Sequence, residues 1–212
     1  MSNKSHIESG LRKILEIPWI YNTFQTLHGG NKERGLHFSK YFKDENIKKV
    51  LDIGCGTGVL LDHLDASVDY HGCDMEESYL QHAREKYGVR GTFYRERVGE
   101  IIHKEWLGSF DAINAHGLIH HLNDKDVTHL FSIAKDYLKP GGFLLTLDPV
   151  YYKGQSSWSR WIVSKDRGQN VKTIEAYHNL VAPIFPTIEG RLVKKHNNLG
   201  YSAYIMKLIK EG

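Results

Sequence analysis

Val50-Leu51-Asp52-Ile53-Gly54-Cys55-Gly56-Thr57-Gly58 reads as a buried strand that breaks into a glycine-rich turn. Residues 48–53 supply β-branched and aliphatic side chains, while Val59, Leu60, Leu61 and Leu64 continue on helical spacing, so a helix is expected directly behind the turn. Glycines at alternate positions let the backbone come close to a ligand and adopt positive φ where required. A helix in that place presents unpaired N–H groups to whatever lies over the turn. The next expected strand, residues 69–74, ends in Asp74, a carboxylate placed to accept hydrogen bonds from both ribose hydroxyls of an adenosine-type ligand.

Outward from this run the chain alternates strand and helix. Residues 76–87 form an expected helix with Tyr79, Leu80, Ala83 and Tyr87 inward, residues 91–95 a short third strand, and residues 110–115 a fourth. Val127, Leu130, Phe131, Ala134 and Leu138 mark a strongly periodic helix, stopped by Pro140-Gly141-Gly142 before a buried fifth strand at 143–147. The alternation predicts a doubly wound α/β fold, with a mostly parallel sheet and helices on both faces. After Asp148 the pattern changes. Residues 151–165 are aromatic and basic, with Trp158, Trp161 and Ile162 on one helical face, and Asp166-Arg167-Gly168-Gln169-Asn170 punctuates them. Thr173 is placed to cap a helix running to about Ala182. Residues 188–194 and 201–209 read as two strands joined by the turn His196-Asn197-Asn198-Leu199-Gly200, a terminal antiparallel hairpin. Ahead of the core, residues 11–17 read as a short helix stopped by Pro18 and followed by Trp19, Tyr21 and Phe24. A Gly29-Gly30 break comes next, then a second helical stretch at 33–43 in which Phe38 and Phe42 pack on the sheet.

The 212 residues suit one domain, divided into an N-terminal helical cover (1–47), a core (48–150), and an insert with the C-terminal hairpin (151–212). A hydrophobic share of 41% and a charged share of 25% are ordinary for a globular chain. No apolar run approaches a membrane span and residues 1–8 lack a signal-peptide core, so a cytoplasmic location is expected. A net charge of +3 falls short of the concentrated basic stripe of a nucleic-acid groove. Cys55 and Cys73 lie in the glycine loop and at the end of the second strand. They read as small buried residues near a ligand rather than as a disulfide or metal pair.

Three motifs in order, Asp52-Ile53-Gly54-Cys55-Gly56-Thr57-Gly58, the acidic Asp74, and Lys139-Pro140-Gly141-Gly142 before the fifth strand, resemble class I S-adenosylmethionine (SAM) dependent methyltransferases. The likeness spans about residues 45–150. Dinucleotide enzymes carry G-x-G-x-x-G over a pyrophosphate, whereas the glycines here run G-x-G-x-G, with no phosphate-binding lysine behind them. The resemblance implies a seven-stranded Rossmann-like sheet, SAM as cofactor and S-adenosylhomocysteine as product. It implies that Asp52 lies under the methionine amino group, and that Gly54, Cys55, Gly56 and Gly58 border the methionine and ribose. By the same resemblance Asp74 holds the ribose, Met75 lies on the adenine, and Ala115 and His116 line the methionine end. Members often place an acid after the third strand for the adenine amine. This chain has no aspartate there, which leaves the Val98 N–H with Arg97 over the ring, and Glu96 as a weaker choice.

Asn114-Ala115-His116-Gly117-Leu118-Ile119-His120-His121-Leu122 falls at the carboxyl edge of the sheet, where open α/β folds bind ligands. His120 or His121 could serve as general base toward an acceptor, since an imidazole titrates near neutrality; the alternative is that the pair packs the loop. Asp148 either reaches the acceptor or simply ends its strand before Pro149. His116 and His120 are four apart, but the intervening Gly117 and the lack of neighbouring carboxylates give no expectation of a metal. Tyr21, Tyr151, Trp158, Arg167 and His178 are further acceptor-side candidates, and Asp166-Arg167-Gly168 is weakly similar to a segment of small-molecule and surface-polysaccharide methyltransferases.

The expected activity is methyl transfer to a small molecule, at an oxygen of a sugar, lipid-linked or natural-product acceptor. Nucleic-acid methylation is the first alternative. Against it, the fourth strand ends without the proline pair that grips a base amine, and Asp148-Pro149-Val150-Tyr151 follows the wrong strand. A non-catalytic SAM-binding partner protein is the second. Oligomeric state and acceptor identity are not encoded in these motifs.

Overall fold

The computed structural model describes residues 30–43, 46–166, 168–195 and 200–212, with side chains from residue 35 onward. The helix and aromatic residues expected at 11–24, Arg167 and the hairpin turn at 196–199 lie outside the described residues. Strands β1 (Lys49–Ile53), β2 (Asp69–Asp74), β3 (Thr92–Arg95), β4 (Phe110–His116), β5 (Leu138–Tyr151), β7 (Thr187–Val193) and β8 (Ala203–Ile209) line up in the order β3-β2-β1-β4-β5-β8-β7. The two-residue β6 (Lys172–Thr173) pairs off this path with the end of β5, an eighth strand beyond the expected seven. β1 to β5 pair in parallel, and β8 runs antiparallel between β5 and β7. The chain steps outward from β1 to β3 and returns on the other side with β4, so the winding reverses at β1 and β4. A crevice opens at the carboxyl ends of strands at such a reversal.

Helices α1 (Gly30–Phe42), α2 (Glu77–Tyr87), α3 (Asp124–Tyr137), α4 (Ser157–Ser164) and α5 (Ile174–Val181) clothe the sheet. The period-two alternation of the strands sorts the core into two layers. Leu51, Ile53, Ile113 and Ala115 face Phe131 and Ala134 of α3 and Tyr177 and Val181 of α5. Val50, Ala112, Leu145 and Leu147 face Phe38 and Phe42 of α1 and Leu80 and Ala83 of α2. Each large apolar side chain buried this way contributes about 1.5–3 kcal/mol. Asn123 caps α3 by accepting the Asp126 N–H at 3.0 Å, and Thr173 caps α5 by accepting the Ala176 N–H at 3.2 Å, as expected for Thr173.

Three elements differ from expectation. The chain behind the glycine loop forms a 3-10 turn, Val59–His63, rather than an α-helix. Only residues 59–68 separate the loop from β2, and they must run back along roughly 16 Å of β1; the steeper 3-10 rise covers that distance with fewer residues. Lys139-Pro140-Gly141-Gly142 does end α3, yet it lies inside β5 as a bulge, between the pairs Phe110↔Leu138 and Ala112↔Phe143. Lys210, the residue after β8, supplies the bulge's partner: the Gly141 N–H donates to Lys210 O at 2.8 Å and the Lys210 N–H to Gly142 O at 2.9 Å. Finally, β5 continues through Pro149 to Tyr151, and α4 buries Ser159 and Val163 while Trp158 and Trp161 point outward.

Candidate functional site

The glycine loop hangs from the end of β2. Gly54 and Cys55 both donate their N–H groups to Cys73 O, at 2.8 and 3.0 Å, and the Gly56 N–H donates to Asp74 Oδ2 at 2.8 Å. Asp74 Oδ1 accepts the Glu76 N–H at 2.9 Å. Asp74 therefore ties the loop to its own strand, with acceptor lone pairs to spare on each oxygen for a diol. Gly54, Gly56 and Gly58 have φ of 72°, 53° and 73°. A Cβ at Gly54 would press on Leu118 and one at Gly58 on Tyr87 and Phe93, whereas at Gly56 it would meet nothing within 4 Å. Of the three, Gly56 is where the backbone faces open space. Met75, 49% exposed, stands directly after Asp74. Cys55 and Cys73 are free and buried, and burial, reinforced by neighbouring carboxylates, pushes both thiols well up.

Asp52 forms the floor, only 3% exposed. Tyr70 donates its hydroxyl to Asp52 Oδ2 at 2.8 Å and Asn114 donates Nδ2 to Oδ1 at 2.7 Å. Burial, together with the Asp52 charge, pushes the Tyr70 hydroxyl pKa up, so Tyr70 stays a donor. The other end of the Asn114 amide, Oδ1, is buried and has no hydrogen-bond partner among the described residues. Phe38, Asp52, Gly54, Cys55, Val59, Leu60, Asn114 and His116 line one small cavity here. Phe38, expected only to pack, meets the His116 ring edge-on at 5.1 Å and so borders the crevice. Alternation turns the Ala115 side chain to the opposite layer, where it is fully buried, and leaves the Asn114 and His116 side chains on the crevice side. Asn114 is the member of this site that no motif signalled. Its one trace in the sequence is an amide interrupting the apolar fourth strand.

Beyond β3, Glu96 already has a partner: its carboxylate lies 2.7 Å from His103 Nε2. Burial alone would lower the His103 pKa, but the bonds to Glu96 and Glu105 outweigh it and raise it. Arg97 is exposed, and Val98 is partly buried against the core at the start of the short turn Val98–Glu100.

The acceptor side is organised around His120, only 5% exposed. Its Nδ1 lies 2.6 Å from Asp148 Oδ1 and its Nε2 lies 3.1 Å from Asp166 Oδ1. Burial would lower its pKa, but the two carboxylates outweigh burial and lift it to about 9. Burial would raise Asp166, but His120 and the donors Tyr201 and Gly168 bring it down to about 2. Both ring nitrogens of His120 thus face carboxylates, an arrangement that favours the protonated ring over the free base. Asp148, 1% exposed, serves His120, so its expected contact with the acceptor is limited to Oδ2, which has no partner among the described residues. His121 is exposed on the same turn, its ring centroid 4.0 Å from that of His120. His120, His121 and Asp166 bring metal-competent atoms within 4.8 Å of one another, a grouping different from the His116–His120 pair weighed on sequence. His178 bonds Tyr204 at 2.7 Å on the α5 face, Arg160 covers the Tyr151 ring at 4.9 Å, and Trp158 stacks on Trp161 at 5.2 Å. None of the three joins His120.

An open sheet that reverses at β1 and β4, with a buried acid beneath a glycine loop and a second acid closing the neighbouring strand, defines a nucleoside-binding Rossmann-like protein. Residues 51–144 match the family described as "Methyltransferase domain". The ubiquinone biosynthesis O-methyltransferase of Pseudomonas aeruginosa is 31% identical over 159 residues, covering 70% of this chain and 66% of that protein. Phosphoethanolamine N-methyltransferase 1 of Triticum aestivum is 29% identical over 154 residues, covering 69% of this chain and 30% of that one. A SAM dependent methyltransferase from Archaeoglobus fulgidus superposes with a TM-score of 0.71 at 16% identity, covering 90% of this chain and 99% of that one, which shows a shared fold. The chain belongs to the class I SAM-dependent methyltransferases. It spans about a quarter to a half of the length of the first curated relatives it matches.

SAM is the cofactor of that family, and two features of the crevice fit it. The Asn114 Oδ1 beside Asp52, without a partner among the described residues, can accept from a donor such as the methionine ammonium. The open face of Gly56 beside Asp74 leaves room for a ribose. No helix among the described residues is long and apolar enough to cross a membrane.

Proposed function

We propose that this chain transfers the SAM methyl group to a small-molecule acceptor, at an oxygen of a sugar, lipid-linked or natural-product substrate, with release of S-adenosylhomocysteine. The observation that carries the reading is the floor of the crevice: a buried carboxylate, Asp52, next to an Asn114 amide oxygen that has no partner among the described residues. Together they hold an ammonium group at the carboxyl ends of β1 and β4. Asp74 takes the ribose diol, Gly56 leaves it room, and Met75 covers one adenine face, with Val98 and Arg97 at the ring's far edge. When bound, SAM supplies a methyl carbon on a sulfonium, a leaving group that needs no activation. The chain's own part is to align the acceptor with that carbon, exclude water and take the acceptor's proton. His121 is the group we assign to the proton, since His120 is committed to two carboxylates.

A small acceptor is favoured over nucleic acid because three of the tail's basic side chains already have partners within the chain. Lys172 pairs with Asp124 at 2.7 Å, Lys207 reaches Glu189 at 4.0 Å, and Lys210 donates to Leu138 O at 2.7 Å. The deciding experiment is calorimetry with SAM, followed by transfer of labelled methyl into a fractionated cell extract. Label in small glycans, lipids or phenols supports the reading. Label in RNA, or SAM binding without any transfer, sinks it.

A further inference from the structure

Asp166 and Gly168 do not line the cofactor crevice, yet they belong to a densely bonded junction around His120. Asp166 Oδ1 faces His120 Nε2 at 3.1 Å and accepts the Gly168 N–H at 2.7 Å, while Oδ2 accepts the Tyr201 hydroxyl. Across the ring, Asp148 Oδ1 faces Nδ1 at 2.6 Å and also accepts the His120 backbone N–H at 3.2 Å. The Asn170 N–H donates to the His120 carbonyl at 3.0 Å. Gly168 lies flat on this residue: a Cβ there would come within 2.1 Å of His120 Cδ2 and 2.7 Å of its carbonyl oxygen. Glycine is needed here for close approach, since its φ is not positive.

Four segments thus converge on one imidazole: the turn after β4, the end of β5, the stretch behind α4, and the approach to β8. An ionised carboxylate offers no proton, so facing one at each nitrogen requires a proton on both. His120 is then a fixed imidazolium between two anions, a charge arrangement that only a protonated ring satisfies. The groups facing it are Asp148 from β5, Asp166 from the stretch behind α4 and His121 on its own turn. Tyr201 is bonded to Asp166, and Tyr177 of α5 lies close enough to feel both acids.

We propose that His120 is a positioning residue. Clamped by Asp148 and Asp166, it fastens Asp166, Gly168 and Asn170 onto the turn after β4 and thereby holds the adjoining His121 ring in place at the acceptor end of the crevice. The inference rests on the proposed role of His121, but the clamp itself can be tested without an acceptor.

The test is side-chain nitrogen NMR, amide exchange and SAM calorimetry on the whole chain and on Asp166→Asn, Asp166→Glu and Gly168→Ala. At about pH 7.5 both His120 ring nitrogens should carry protons. Asp166→Asn and Gly168→Ala should speed amide exchange at Asn170 by about tenfold or more and shift the His121 ring signals. SAM affinity should stay within about twofold, because the clamp lies outside the cofactor crevice. Asp166→Glu, which keeps the charge, should restore the His121 signals at least in part. A bare nitrogen on His120, or His121 signals unmoved in both disruptive variants, overturns the proposal. So does a zinc titration that places the ion on the His120 ring, since a ligating imidazole is neutral. If SAM fails to bind while the NMR results hold, the methyl-transfer reading falls and the clamp survives.

Discussion

Raising the pH should loosen this protein, and Asp166→Asn, which leaves Asp148 in place, should weaken that dependence. His120 is held at about 9 in the folded chain against 6.5 for an ordinary imidazole. A group whose folded pKa is raised stabilises fully below its unfolded value and loses that contribution as pH climbs through the folded value. The window here runs from about 6.5 to about 9, with stability falling at ~1.4 kcal/mol per pH unit and a total of about 3 kcal/mol. In a chain of this size that corresponds to roughly 6–12 °C in Tm. Asp166, depressed to about 2, reports the same ion pair from its other partner, so its shift is not added. Its own contribution is present above the ordinary carboxylate range and fades as pH falls through about 2. The assay is urea unfolding of wild type and Asp166→Asn at steps between pH 6 and pH 10. The gap between the two should be largest near neutrality and close toward pH 10. A gap that stays constant across the series would refute a charged His120, leaving only lost packing to explain the variant.

Three further outcomes follow from particular contacts. Gly56→Val places a branched side chain in the one open face of the loop at φ 53°, so calorimetry should show SAM binding abolished while the fold persists. Asp74→Ala removes the acceptor of the Gly56 and Glu76 N–H groups as well as the ribose ligand; SAM affinity should fall by roughly 1–3 kcal/mol and Tm should drop too, and an unchanged Kd would remove Asp74 from the site. Gly190→Ala drives a Cβ to within 1.8 Å of the Tyr204 hydroxyl, which bonds His178, and should cost about 1–3 kcal/mol in thermal unfolding. Removing that hydroxyl in Gly190→Ala with Tyr204→Phe should recover part of the loss.

Much of the core was legible because its signals are local. Strand and helix periodicity, the threonine cap at Thr173 and the paired acids Asp52 and Asp74 depend on neighbours a few residues away. The features that the sequence did not show depended on distance. Whether residues 59–63 coil as α or 3-10 is set by how far the chain must travel back to β2. That Pro140-Gly141-Gly142 becomes a bulge depends on Lys210, just past β8 and remote in the chain. Ala115 could be assigned to its layer only once the register of β4 was known.

By itself the amino-acid order determined a doubly wound α/β chain with a glycine loop and two acids at adjoining strand ends, because those features follow from spacing alone. Only the tertiary structure decided what Asn114, His120 and Asp166 do. Asn114 acquires its role from lying beside Asp52 across two strands, with one amide end bonded and the other bare. His120, which in sequence is either a base or a packing residue, finds Asp148 and Asp166 at its two nitrogens once the chain has folded. Protonation depends on burial and on charges a few ångströms away, and the chain sets neither until it has folded.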